Sequence, residues 1–163
     1  MTMSKRILLL LSVLVCCVGC DQATKSTAQA FLSETEVWSY FGDTFRLQLA
    51  HNSGVFLSLG SALPEAWRSG LFTLGVGFML LVLLGFILFS KSLSYLDLIA
   101  LAMLLAGGIG NLIDRASLGY VVDFMNIGIG TFRTGIFNVA DVAVSLGVLI
   151  LLAGSFKDAT NPS

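Results

Sequence analysis

The chain has 163 residues, of which 56% are hydrophobic and 12% charged, with a net charge of -1 and a mean hydropathy of +0.89. That is too apolar for a water-soluble domain and too poor in charge to cover a water-facing surface, so the chain reads as an integral membrane protein. Its scattered Lys and Arg form no basic patch, which argues against nucleic acid as a partner.

The chain opens on a basic pair, Lys5 and Arg6, followed by a 13-residue apolar run, Ile7 to Gly19, and then Cys20. Such a run ending in Gly-Cys is similar to a lipoprotein export signal, whose cysteine would carry the lipid. Two features oppose processing there. Cys17 stands where such signals normally carry Leu, and apolar segments recur to the C-terminus, whereas a lipid-anchored protein would be soluble beyond Cys20. The run is therefore read as the start of a first helix, about 7–30, continuing through Asp21, Thr24 and Lys25, with Cys20 unmodified. Cys16, Cys17 and Cys20 are the only cysteines and share one apolar stretch, so neither a disulfide framework nor a zinc site is indicated.

An outer subdomain over about 33–62 comes next. Its segment EVWSYFGDTFRLQLAHNSGVFLSLG mixes β-branched and aromatic residues with Gly, Asn and Ser, and it reads as short strands. Crossing the hydrocarbon core takes about 20 helical residues. Gly70 to Phe89 supplies 20 without a charge, within a helix of about 68–90. A third helix over about 93–114 is broken between Leu93 and Ile113 only by Asp97 near its start, and a fourth over about 135–156 contains Asn138 and Asp141. An outer loop of about 115–134 joins them. The expected architecture is all-α: four transmembrane helices, a small β-containing extracytoplasmic subdomain between the first two, and one integral membrane domain over 1–163. Lys5, Arg6, Lys91 and Lys157 fall on one side of it, which makes that side and both termini cytoplasmic.

Charge inside or beside a span is costly, so its placement is informative. At 1.5 Å per residue, Asp21 lies about 21 Å along a helix begun at Ile7, toward the outer face. Asn111 and Asp114 end the third helix, Asn138 and Asp141 begin the fourth, and Asp123 lies between them. Asn111, Asp114 and Arg115 share one side of a helix by i, i+3, i+4 spacing, as do Asn138 and Asp141 by i, i+3. Any one of these residues could simply hold or cap helices; several aspartates at one face suggest chemistry. His51 is the only histidine, so no His-rich metal site can form. Paired carboxylates remain: two that share a proton can activate water with one member and hydrogen-bond a carbonyl with the other.

Five segments, DQATK (21–25), HNSGVFLS (51–58), GGIGNLIDR (107–115), VVDF (121–124) and FNVAD (137–141), resemble in order and approximate spacing the motifs of lipoprotein signal peptidase, signal peptidase II. The resemblance implies an aspartic endopeptidase of the bacterial cytoplasmic (inner) membrane. Such an enzyme removes the signal peptide of a diacylglyceryl-modified prolipoprotein, cutting just before the lipidated cysteine, with its active site facing the periplasm or exterior. By motif, Asp123 and Asp141 match the catalytic pair. Asn52, Gly54, Asn111, Arg115 and Asn138 match residues lining the substrate and inhibitor site. Asp21 and Lys25 match a supporting or substrate-facing motif. Asp114 competes for a catalytic role and is read as structural, with Arg115 nearby. The resemblance implies no metal or organic cofactor. The partners it implies are lipid-modified prolipoproteins, membrane lipids and globomycin-type inhibitors, and a monomer is expected. One departure is visible. After N-x-G the family usually carries two small residues and then Phe, whereas Gly54 is followed by Val55, Phe56 and Leu57. A transporter, or an assembly factor whose aspartates merely hold helices, are the competing readings.

Overall fold

A computed structural model describes residues 1–53 and 65–160. Gly54 and the VFLS stretch after it lie outside the described residues. In chain order the elements are α1 (Met3–Phe31), β1 (Trp38–Tyr40), β2 (Phe45–Asn52), α2 (Glu65–Phe89), α3 (Tyr95–Leu118), β3 (Val121–Ile129), β4 (Phe132–Arg133) and α4 (Val139–Thr160). Among the described residues, Met3–Phe31, Tyr95–Leu118 and Val139–Phe156 are long and apolar enough to cross a membrane, and α2 contributes a shorter apolar stretch, Thr73–Phe89.

Helix α3 is central and packs on α1, α2 and α4. It starts where Ser94 accepts the Asp97 backbone N–H and Asp97 returns the bond to the Ser94 N–H, so Asp97 caps the helix. It stops at Gly119, whose φ of 85° is open mainly to glycine. Small residues let α3 and α4 touch along their backbones: a Cβ at Gly147 would lie 2.6 Å from the Ala100 carbonyl oxygen, and one at Gly107 would collide with the Ala140 carbonyl. At the opposite end from the sheet, Leu10, Ile87, Leu98, Leu101, Ala102 and Leu105 form the apolar core. Arg6 is buried there, donating to the Ile87, Leu88 and Ser90 carbonyls. It therefore satisfies the C-terminal carbonyls of α2 instead of lying on the surface.

The sheet differs from the expected outer subdomain. Its four antiparallel strands run in the order β1-β2-β3-β4, so half of it comes from 121–133, the stretch read as an outer loop. That stretch is rich in Val, Ile and Phe; Val121 to Ile127 pairs with β2 and Gly128 to Arg133 folds back on itself as β3 and β4, which satisfies backbone polar groups. A bulge separates the pairs Leu47 with Met125 and Ala50 with Asp123. The extra residue in β2 sets Asn52 opposite Val121, hence diagonal to Asp123 on the same face. The fourth helix begins at Val139 instead of near 135, because the preceding residues bond to β3: Phe137 and Met125 form an antiparallel bridge.

Cys20 lies in the unbroken α1, exposed and one residue before buried Asp21. Cleavage there would detach the segment that anchors α2 through Arg6. Cys20→Ser is expected to retain full activity, and the wild-type chain to take up no radioactive palmitate in growing cells.

Candidate active site

Polar side chains from three helices and two strands meet where α1 and α3 end and α4 begins. A single hydrogen-bonded network joins Asp21, Gln22, Lys25, Asn52, Asn111, Asp114, Asp123, Asn138 and Asp141. Asp21, Lys25, Asp114, Asp123 and Asn138 are buried, while Asn111 and Asp141 keep partial access to solvent.

Four carboxylates lie in this network, and their partners divide them into two pairs. Lys25 Nζ stands 2.8 Å from Asp21 Oδ2, 2.9 Å from Asp114 Oδ2 and 2.9 Å from Asn111 Oδ1. An ammonium has three N–H bonds, and this one finds three acceptors. Gln22 Nε2 also donates to both Asp21 and Asp114, at 3.2 and 2.9 Å. Among the described residues, the second pair, Asp123 and Asp141, has only amide partners. Asp123 Oδ1 accepts from Asn138 Nδ2 at 2.6 Å, and its Oδ2 accepts from Asn52 Nδ2 at 3.0 Å. Asp141 Oδ1 accepts from Asn111 Nδ2 at 2.9 Å, and its Oδ2 accepts the Asn138 backbone N–H at 3.1 Å.

Local structure explains this placement. Asn138 is the N-cap of α4: its Oδ1 accepts the Asp141 N–H at 2.9 Å while Asp141 returns the bond, a reciprocal cap that holds residues 138 and 141 together. Backbone bonds from Phe124 and Met125 to the Phe137 carbonyl bring this cap against β3, where Asn138 reaches Asp123. Asn138 therefore touches both carboxylates of the second pair. Burial, reinforced by the nearby charge of Asp141 and opposed by the Asn52 and Asn138 hydrogen bonds, pushes Asp123 up to about 6.

The site residues read from sequence come together except Gly54, which lies outside the described residues, and Arg115. Asp114 takes its cation from Lys25, which reaches across from α1. Arg115 is half-exposed and its side chain makes no ion pair or hydrogen bond among the described residues. Gln22, which joins Asp21 to Asp114, carries no signal in the sequence beyond its place in the 21–25 motif. Among the described residues, no group of three His, Cys, Asp or Glu could hold a metal ion. At the rim, His51 Nδ1 lies 3.0 Å from Glu34, and its ring stacks on Tyr120 at 4.1 Å.

The family model for signal peptidase (SPase) II matches residues 13–157. The chain belongs to the signal peptidase II family. The lipoprotein signal peptidase of Francisella tularensis subsp. novicida is 32% identical over 149 residues, covering 90% of this chain and 89% of that protein. That of Sphingopyxis alaskensis is 35% identical over 145 residues, covering 82% and 76%. A solved structure described as a bacterial membrane enzyme superposes with a TM-score of 0.76 at 25% identity, over 98% of this chain and 92% of the other. A second, described in the same words, gives 0.74 at 24% identity over 95% and 94%. Membership makes this chain a signal peptidase II-type peptidase and a multi-pass bacterial membrane protein, which displaces the transporter and assembly-factor readings.

Proposed function

We propose that this signal peptidase II is an aspartic endopeptidase acting on diacylglyceryl-modified prolipoproteins, with Asp123 and Asp141 as its catalytic dyad. The partition of the four carboxylates carries this reading. Asp21 and Asp114 both pair with the Lys25 ammonium, whereas Asp123 and Asp141 meet around one amide with no cation bonded to either among the described residues. Like charges in a buried site cannot both persist easily, so the pair shares a proton. The ionised member takes a proton from water as it attacks the scissile carbonyl, and the protonated member donates to the developing oxyanion. Asn52, Asn111 and Asn138 orient the carboxylates, and Arg115, free of ion pairs among the described residues, binds the lipid headgroup or substrate backbone; the family motif assigns Gly54 to substrate binding as well.

The chain spans the cytoplasmic membrane four times as a single domain over 1–163, as a monomer, with both termini inside and the dyad at the outer membrane-water interface. The substrate's signal helix enters between the spans, its acyl chains stay in lipid, and cleavage falls just before the modified cysteine. Globomycin-type inhibitors occupy the same site. Cleavage by purified protein of a diacylglyceryl-modified prolipoprotein, with the unmodified precursor left intact, tests this directly; no cleavage of either refutes it.

The raised pKa of Asp123 also predicts a pH dependence. A carboxyl ordinarily titrating near 3.9 and held at about 6 in the fold binds its proton more tightly when native. Its contribution to stability is therefore fully present below about 4 and is lost as the pH rises through about 6. Melting temperatures in detergent are expected to fall more between pH 4 and pH 7 for wild type than for Asp123→Asn. Parallel curves would show that Asp123 is not the group titrating.

A further inference from the structure

Lys25, Asp21 and Asp114 form more than an ion-paired cluster. Asp21 Oδ1 accepts the backbone N–H of Ala140 at 2.8 Å, and Asp114 Oδ2 accepts the backbone N–H of Val122 at 3.0 Å. Ala140 immediately precedes Asp141, and Val122 immediately precedes Asp123. Each carboxylate thus holds the main chain one residue before a member of the dyad, and one ammonium joins the two carboxylates. The third contact of that ammonium, Asn111 Oδ1, leads through Asn111 Nδ2 to Asp141 itself. The arrangement is near-symmetric: Asp21 and Asp114 each accept from Lys25, from Gln22 and from one such backbone N–H. Space is kept for it, since a Cβ at Gly110 would lie 2.6 Å from Asp21 Oδ2.

We propose that Lys25 is the positioning residue of the dyad, a buried ammonium that sets the separation of Asp123 and Asp141 by tying together the two carboxylates that grip the backbone before them. This rests on the dyad reading above. Burying ions costs on the order of several kcal/mol each in lost hydration, and a well-packed apolar set would hold the helices equally well. What apolar packing cannot do is hold two backbone N–H groups from different elements at a fixed distance.

The position also gives Lys25 an electrostatic effect. Two charges act on Asp123 in opposite senses: the carboxylate of Asp141 on α4 favours its protonated form, and the ammonium of Lys25 on α1 favours its ionised form. Removing the ammonium leaves two uncompensated carboxylates beside the dyad and favours the protonated form of Asp123. Neutralising Asp21 or Asp114 works in the opposite sense.

The test compares full-length wild type, Lys25→Met, Asp21→Asn, Asp114→Asn and Asp123→Asn, purified in detergent, on a diacylglyceryl-modified prolipoprotein. Turnover, KM, pH profile and melting temperature are read for each. For folded Lys25→Met, kcat is expected to fall about 100-fold with KM within about 3-fold, the cost of misplacing reacting groups by about an ångström. Its pH profile moves to higher pH, while those of Asp21→Asn and Asp114→Asn move lower. A merely structural cluster would lower melting temperature and folded yield without moving the profile. Folded Lys25→Met with unchanged kcat and profile overturns the proposal. Should that variant not fold, unmoved profiles in both aspartate variants overturn it equally. Activity surviving in Asp123→Asn would instead remove the dyad reading itself.

Discussion

Asp123→Asn and Asp141→Asn are each expected to lower kcat for prolipoprotein cleavage by at least about 10⁴-fold, the scale of losing an essential proton-transfer group from a unit that works as a whole. The substitutions are nearly isosteric, so the loss cannot be assigned to a cavity. At position 123 the asparagine oxygen still accepts from Asn138 or Asn52, but its nitrogen faces the other amide's donor, a mismatch of about 1–3 kcal/mol that rotation of Asn52 relieves. Asp141→Asn weakens the reciprocal cap of α4 as well, so its melting temperature falls further than that of Asp123→Asn. Asp114→Asn is the informative control. It keeps an oxygen for the Val122 N–H but removes a charge from Lys25, so measurable turnover is retained. Full activity in Asp123→Asn together with a folded, inactive Asp114→Asn would move the dyad to Asp114 and Asp141.

Residues legible in the sequence were those whose polarity is costly where they lie. Asp21, Asn111, Asp114, Asn138 and Asp141 interrupt apolar spans, and helical spacing puts the last four on two common faces, so their gathering at one end followed from length and rise alone. What pairs with what was not legible. Asp114 has Arg115 as its neighbour in sequence, yet its cation comes from Lys25 on another helix, because α1 and α3 pack side by side at that level. Strand β3 was missed for a related reason. Val121, Val122, Asp123 and Phe124 are all buried, so the alternation that marks a half-exposed strand is absent. Its partner β2 is also remote: Asn52 and Asp123 are 71 residues apart, and only the bulge at 47–50 determines that they meet. The contacts of Arg6, the carbonyls closing α2, likewise depend on packing that no local pattern encodes.

Asn138 is the residue on which both the fold and the chemistry of the site depend, and two substitutions separate the roles. Fully buried, it caps α4 through Oδ1, and its Nδ2 reaches Asp123 Oδ1, Asn111 Oδ1 and the Val122 carbonyl. Asn138→Ala removes the cap, worth about 1 kcal/mol, and leaves buried acceptors without their donor at a further cost of about 1–3 kcal/mol. A drop in melting temperature is expected, together with a fall in kcat of about 100-fold or more as the carboxylates lose their common anchor. Asn138→Ser restores a hydroxyl able to accept the Asp141 N–H, since serine caps helices as well as asparagine does. It is too short to replace the amide at Asp123. Serine is therefore expected to recover part of the melting temperature lost in Asn138→Ala and little of the turnover. Recovery of both in proportion would mean that Asn138 acts on catalysis only by holding α4 in place. Stability restored without activity would assign the amide to the dyad.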